Sequence, residues 1–166
     1  NFWALKTTAG SYGKSYWTSF VEEGVIAMGW QDIDVNPAQA TKKEIAEAVE
    51  NVEHYDNNGS RTADKIKKFT GKIRKGDKVL ICRGYPSNSS IDVHIYGVAR
   101  VIGGFKDDKN TSWWRFKRKA VIQVIDKYIP KEVVSNSLEM GSMMEVIHSI
   151  NSNSFKQFSD ILHNEF

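Results

Sequence analysis

Apolar positions along this 166-residue chain change period several times, and each change marks an element. Phe2 to Leu5 and Val25 to Trp30 are short continuous apolar runs of the kind found in buried strands. Between them, Gly13 to Glu23 places Tyr16 and Phe20, and Trp17 and Val21, at helical spacing, and Gly24 stands where a left-handed cap would end the helix. Thr41-Lys42-Lys43-Glu44 is a capping box, after which Ile45, Val49, Val52 and Tyr55 hold one face of a second helix. Asn57-Asn58-Gly59 makes a turn, a basic helix runs from Thr62 to Ile73, and Lys75-Gly76-Asp77 turns the chain into a strand from Lys78 to Cys82. Ile91 to Phe105 and Arg115 to Ile125, rich in valine and isoleucine, are two long strands separated by the polar loop Lys106 to Ser112. Pro130 opens a helical tail in which Ser154-Phe155-Lys156-Gln157, a further capping box, precedes Phe158, Ile161 and Leu162.

Strands and helices in this order do not alternate as a doubly wound fold requires. They predict an α+β domain in which about five or six strands form a small, strongly curved or closed mixed barrel, with helices around it and a helical C-terminal tail. The length suits one domain over 1–166, with no internal repeat and no dividing linker. At 40% hydrophobic and 26% charged residues the composition is globular, and no apolar run approaches the roughly 20 residues of a bilayer span. The chain opens at Asn1 without a methionine or a signal-peptide pattern, which suggests a module cut from something longer. Its one cysteine, Cys82, cannot form an internal disulfide, so the reducing cytoplasm is the expected compartment.

Charge changes the picture through its placement. The net value is +3, yet Lys65 to Lys78 holds seven basic residues against one acid, and Arg115, Lys117, Arg118 and Lys119 follow directly on Trp113 and Trp114. Glu44, Glu47, Glu50, Glu53 and Asp56 form an acidic stretch. Any one charge run reads first as a solvated face. Two basic runs, one beside paired tryptophans, point towards a polyanion, with Lys68, Lys72, Arg74, Lys75, Arg115, Lys117 and Arg118 as the expected contacts to a nucleic-acid backbone.

Catalytic patterns are weak. Gly10-Ser11-Tyr12-Gly13-Lys14-Ser15 follows a strand and opens a helix, but only two residues separate its glycines, and Thr8 stands where the first glycine of a phosphate-binding loop belongs. His54, His94, His148 and His163 are not paired with another histidine or a cysteine at ligand spacing, and Asp107-Asp108 reads as a solvated turn. No catalytic residue, metal or cofactor is therefore expected. A protein-interaction module, docking through the acidic helix Lys42 to Tyr55 or the tail, is the competing reading.

Four segments in order carry a resemblance: Trp3-Ala4-Leu5-Lys6-Thr7, the run from Gly24 to Trp30, the turn Lys75-Gly76-Asp77-Lys78-Val79, and Ile95-Tyr96-Gly97-Val98-Ala99-Arg100-Val101. Together they resemble the PUA-like superfamily, in its EVE and YTH branch, and especially the EVE-like N-terminal domains of McrB-type restriction proteins. The likeness covers roughly residues 2 to 130 and implies a non-catalytic reader that holds a flipped or single-stranded base, often methylated, between aromatic rings. In that family one cage tryptophan follows the second strand, as Trp30 does. Another comes from the loop before the last long strand, where Trp113 and Trp114 stand, and the loop after the first strand, here Lys6, Thr7 and Thr8, supplies polar contacts. Trp17, on a short helix where packing competes with binding, and Asp32, just beyond Trp30, complete the base-binding candidates. Trp3, inside a strand, reads as core. The partner implied is nucleic acid, DNA ahead of RNA, within a restriction complex. Met28-Gly29-Trp30 departs from the usual YTH sequence at this cage position, which leaves the preferred base open.

Overall fold

The computed structural model describes residues 1–9, 14–52, 58–83, 92–110, 114–138 and 147–164. Its strands are β1 Phe2–Lys6, β2 Thr8–Ala9, β3 Lys14–Ser15, β4 Val25–Met28, β5 Lys78–Cys82, β6 Val93–Asp107, β7 Phe116–Ile129 and β8 Ile147–Ile150. The helices are α1 Trp17–Glu23, α2 Lys42–Glu50, α3 Gly59–Lys67, α4 Lys131–Leu138 and α5 Ser152–Asn164, with α3 continuing into a π-helical turn, Lys68–Lys72.

Six strands form one mixed sheet in the order β4-β7-β6-β5-β1-β8, in which β1 and β5 are parallel and every other pair is antiparallel. The continuous apolar run of β5 is explained by burial on both faces. Val79 and Ile81 point into a core under α1, α2 and α3 with Phe20, Ile45, Ile66 and Phe69, while Leu80 and Cys82 point into a second core under α4 and α5 with Val134, Leu138, Phe158 and Leu162. Among the described residues β4 does not pair with β8, so the sheet stays open where a closed barrel was an expected alternative. Curvature comes instead from two register shifts along the β6–β7 pair, at Ile95/Gly97 and Val101/Phe105. No helix among the described residues is long and apolar enough to cross a membrane.

Local signals set several boundaries. Gly24 ends α1 at φ 62°, its N–H turned back on the carbonyls of Phe20 and Val21. The capping box of α2 is complete: Glu44 N–H donates to Thr41 Oγ1 at 3.2 Å and Thr41 N–H to Glu44 Oε2 at 2.7 Å. Tyr55 and His54 lie outside the described residues, and α2 closes at Glu50. Asn58 caps α3 through Arg61 N–H at 3.1 Å, so the basic helix starts before Thr62. Trp3 is core, as read, with Nε1–H donating to buried Asp77 at 2.8 Å.

The tail departs from expectation. Ile147–Ile150 is an edge strand on β1 rather than helix. Helix α5 begins at Ser152, where Asn151 Oδ1 accepts from Asn153 N–H at 2.8 Å; Ser154, read as a cap, is buried in its first turn.

Gly97 illustrates how tightly the layers meet. A Cβ there would stand 2.8 Å from Cη2 of Trp17 and closer still to the carbonyl oxygen of Gln123 in β7. Backbone cannot retreat as a flexible side chain can, so Gly97→Ala is expected to destabilise the fold by about 1–3 kcal/mol, read as a lower urea midpoint at unchanged slope.

Candidate nucleic-acid interface

The loop after β1 leads into the short ribbon β2–β3, where Thr8 pairs with Ser15 and Ala9 with Lys14. The chain leaves it at buried Tyr16. The ring of Trp114 meets Tyr16 edge-on, centroids 4.3 Å apart at 83°, and lies 5.4 Å from Phe20 at 72°. Trp30, two residues beyond β4, is half-buried against the same core and holds φ at 63°, a left-handed conformation that a bulky side chain rarely takes. Such a residue persists only where its surroundings over-determine it.

Arg115, the next position along from Trp114, holds the segment that follows Trp30. Its guanidinium is 1% exposed. Nε donates to Asp107 Oδ1 at 2.6 Å and Nη2 to Asp107 Oδ2 at 2.9 Å, a bidentate pair. The remaining donors go to main-chain carbonyls of the segment that follows Trp30: Nη1 to Ile33, and Nη2 to Val35 at 2.7 Å. One buried cation thus ties the chain beyond Trp30 to the chain beside Trp114.

Arg115, Lys117 and Arg118 were expected against a phosphate backbone, and their positions correct that reading. Arg118 donates to the carbonyls of Phe69 at 2.9 Å and Thr70 at 2.7 Å, bracing the π-helical turn; burial pushes its pKa below the ordinary arginine value, against the opposing pull of Asp77. Lys117, with a 10% exposed side chain, pairs with Glu23 at 2.7 Å and lies 3.5 Å from Asp108. All three are buried and bonded to partners of the fold itself. Lys72, Arg74 and Lys75 are exposed, and Lys68 is half-buried. Lys72 and Arg74 line a cleft of about 560 Å³ with Phe2, Trp3, Ser149 and Ser152, at the opposite end of β1 from Lys6 and Thr7.

Lys6 is half-buried, and burial lowers its ammonium pKa, offset in part by Cys82; the Cys82 thiol is itself pushed up to about 12 by burial. Thr7 is fully buried, its N–H donating to Cys82 O at 3.0 Å. Asp32 is exposed. Trp17 stacks on Tyr96 of β6, centroids 5.4 Å apart at 15°. The side chain of Thr8, and all of Trp113, lie outside the described residues. Among the described residues no three histidine, cysteine or carboxylate side chains gather as metal ligands would. Sequence reasoning missed Tyr16, which joins the ribbon to Trp114, and a column of rings built on Tyr96; the Tyr96-Gly97 pair inside a strand is a sequence sign of close approach there.

The open, bent six-stranded mixed sheet with helices on both faces is consistent with a YTH-like fold. Residues 3–151 match DUF8426, described as a domain of unknown function, and the chain belongs to that family. Among solved structures, the YTH domain of the Zygosaccharomyces rouxii MRB1 protein, in complex with N6-methyladenosine RNA, is similar at TM-score 0.51 and 12% identity over 98% of this chain and 86% of that one. A hypothetical protein from Leishmania major reaches 0.51 at 13% identity over 99% and 95%, and a protein from Pseudomonas syringae 0.51 at 9% over 98% and 99%. No curated protein matches. At these identities the likeness concerns the fold alone.

Proposed function

We propose that the chain is a non-catalytic reader of modified nucleic acid, which holds a methylated base, flipped or single-stranded, between Trp30 and one of Trp113 and Trp114. The observation that carries this is the pairing of Trp30, half-buried at positive φ, with the Arg115 tie that connects its loop to the start of β7. A residue kept at an unfavourable backbone angle points to a position set by function, and each base stacked on an aromatic ring gains about 1–3 kcal/mol. The YTH domain of similar fold was solved with N6-methyladenosine RNA, which supports a modified base as the ligand class. Thr7 is fully buried with its N–H spent on Cys82, so Lys6 and Asp32 are the polar contacts in this reading, and Lys68, Lys72, Arg74 and Lys75 meet the phosphates. The resemblance to the EVE-like domains of McrB-type restriction proteins favours DNA over RNA and a role in choosing the site for other subunits, with nucleotide hydrolysis and cleavage performed elsewhere.

The test is a titration against matched oligonucleotides, modified and unmodified, DNA and RNA, single- and double-stranded, over a salt series. The modified single strand or mismatched duplex is expected to bind more tightly than its unmodified twin, without cleavage when magnesium is added. With four cations on the backbone, log affinity should fall against log salt with a slope of about −3 to −4. A flat salt dependence together with equal affinity for both twins would sink the reading and favour a protein partner.

A further inference from the structure

The rings on the α1 side of the sheet form a column that ends in water. Trp17 stacks on Tyr96 as described; Tyr96 lies 4.1 Å from His94 at 46°, and His94 lies 4.2 Å from Tyr128 at 17°. His94 and Tyr128 are direct cross-strand partners in β6 and β7. The His94 side chain is 12% exposed, whereas Tyr128 is 58% exposed, the only aromatic ring among the exposed large apolar side chains of the described residues. Tyr128 thus rests on His94, which Tyr96 and Trp17 back in turn, and more than half of its surface is left to solvent.

Three departures from regular strand geometry converge here. Gly97 leaves room for Trp17. The register shifts so that Ile125 and Asp126 together oppose Tyr96, a bulge in β7. Asp126, at φ 57°, takes the left-handed conformation at that bulge, and its Oδ1 lies 2.6 Å from His94 Nε2. Its other oxygen has no partner among the described residues. Bulges re-aim side chains next to binding sites, and positive φ at a non-glycine residue costs energy that packing of the column must offset.

We propose that Tyr128 and Asp126 form a second base site, in which the base of a nucleotide a few positions along the strand from the modified one stacks on the exposed side of Tyr128 and donates an exocyclic N–H to Asp126. The proposal rests on the nucleic-acid reading above. Continuity with the proposed cage supports it, because the consecutive residues Tyr16 and Trp17 divide between the two: Tyr16 packs on Trp114 and Trp17 on Tyr96. Charge selects the part of the ligand. A carboxylate repels phosphate at that spot but accepts from the amino group of adenine, cytosine or guanine, while a planar ring backed by other rings suits a base of any sequence.

The experiment titrates the wild type, Tyr128→Ala and Tyr128→Phe against a single strand carrying N6-methyladenine, with all the other positions on both sides of it either cytosine or abasic. Tyr128 is exposed, so the variants should melt with the wild type. Tyr128→Ala is expected to lose about five-fold or more in affinity for the cytosine-flanked strand and nothing for the abasic one, with Tyr128→Phe near wild type. Selectivity for the methylated over the unmethylated strand should be unchanged in both. Equal binding by Tyr128→Ala and wild type overturns the second site, and so does an equal loss on both strands, which would mean that no flanking base is contacted. A wild type that prefers the methylated strand but ignores Tyr128 leaves the cage standing and removes this site alone; a wild type that binds no strand removes both.

Discussion

Arg115→Met is expected to destabilise the fold by about 3–5 kcal/mol, a drop in Tm of about 10 °C, measured by urea and thermal unfolding. The substitution keeps the volume of the stem and removes the fork. Asp107, 13% exposed, is left as a nearly buried carboxylate without its bidentate partner, and the carbonyls of Ile33 and Val35 lose their donors. An unmade hydrogen bond to a buried group costs about 1–3 kcal/mol. The double variant Arg115→Met with Asp107→Leu separates the contributions: it removes the stranded charge but not the stranded carbonyls, so it should recover only part of the loss. Arg115→Lys should fall between, since an ammonium keeps the charge yet cannot reach Asp107 and two carbonyls at once. A loss below about 1 kcal/mol for Arg115→Met would mean that the guanidinium does not hold the loop beyond Trp30.

What the sequence revealed and what it hid follows from the distance over which each feature is decided. The capping box at Thr41, the glycine cap at Gly24 and the apolar runs of β1 and β5 are set by residues a few positions apart, and they formed where their patterns placed them. Strand β8 is four residues, Ile147-His148-Ser149-Ile150, and is a strand only because β1 offers an edge nearly the whole chain length away. Basic residues posed the same difficulty for the site. A run of arginines and lysines beside two tryptophans resembles a surface patch, yet Arg115 finds its acceptors 82 residues upstream at Ile33, and Arg118 finds its own 49 upstream at Phe69. Nothing local distinguishes a cation that binds phosphate from one that satisfies buried carbonyls. Trp17 differs again: its helix was legible only from Trp17 onward, since Lys14-Ser15, read as part of it, pairs with Thr8-Ala9 as a strand, and the partner that takes the Trp17 ring, Tyr96, is fixed by the strand pairing of β6 and by the absence of a Cβ at Gly97.

Replacing Trp30 or the cage ring at the start of β7 is expected to abolish selectivity for the modified base while leaving most of the electrostatic affinity. Each ring removed deletes one stacking face, about 1–3 kcal/mol, or five-fold and upward in affinity for the modified strand. At Trp30 the backbone must be treated separately from the ring. Trp30→Ala removes the ring but keeps a Cβ at φ 63°, whereas Trp30→Gly removes both and suits that angle, so the glycine variant should be at least as stable as the alanine one. Both should nonetheless lose selectivity equally, because the ring is what they share. At the other wall, Trp114→Ala opens space beside Tyr16 and Phe20 and lowers stability as well, so Trp114→Leu, which fills part of that space without offering a π face, is the cleaner substitution. Trp113→Leu is its twin, and one of the two should keep the wild-type ratio if the other provides the wall. Lys72→Ala and Arg74→Ala should weaken modified and unmodified strands alike and lower the salt slope by about one each. The quantity that decides is the ratio of affinities for the modified and unmodified strands. If it survives in Trp30→Gly and in both leucine variants while circular dichroism shows them folded, the tryptophans are structural and the pocket lies elsewhere.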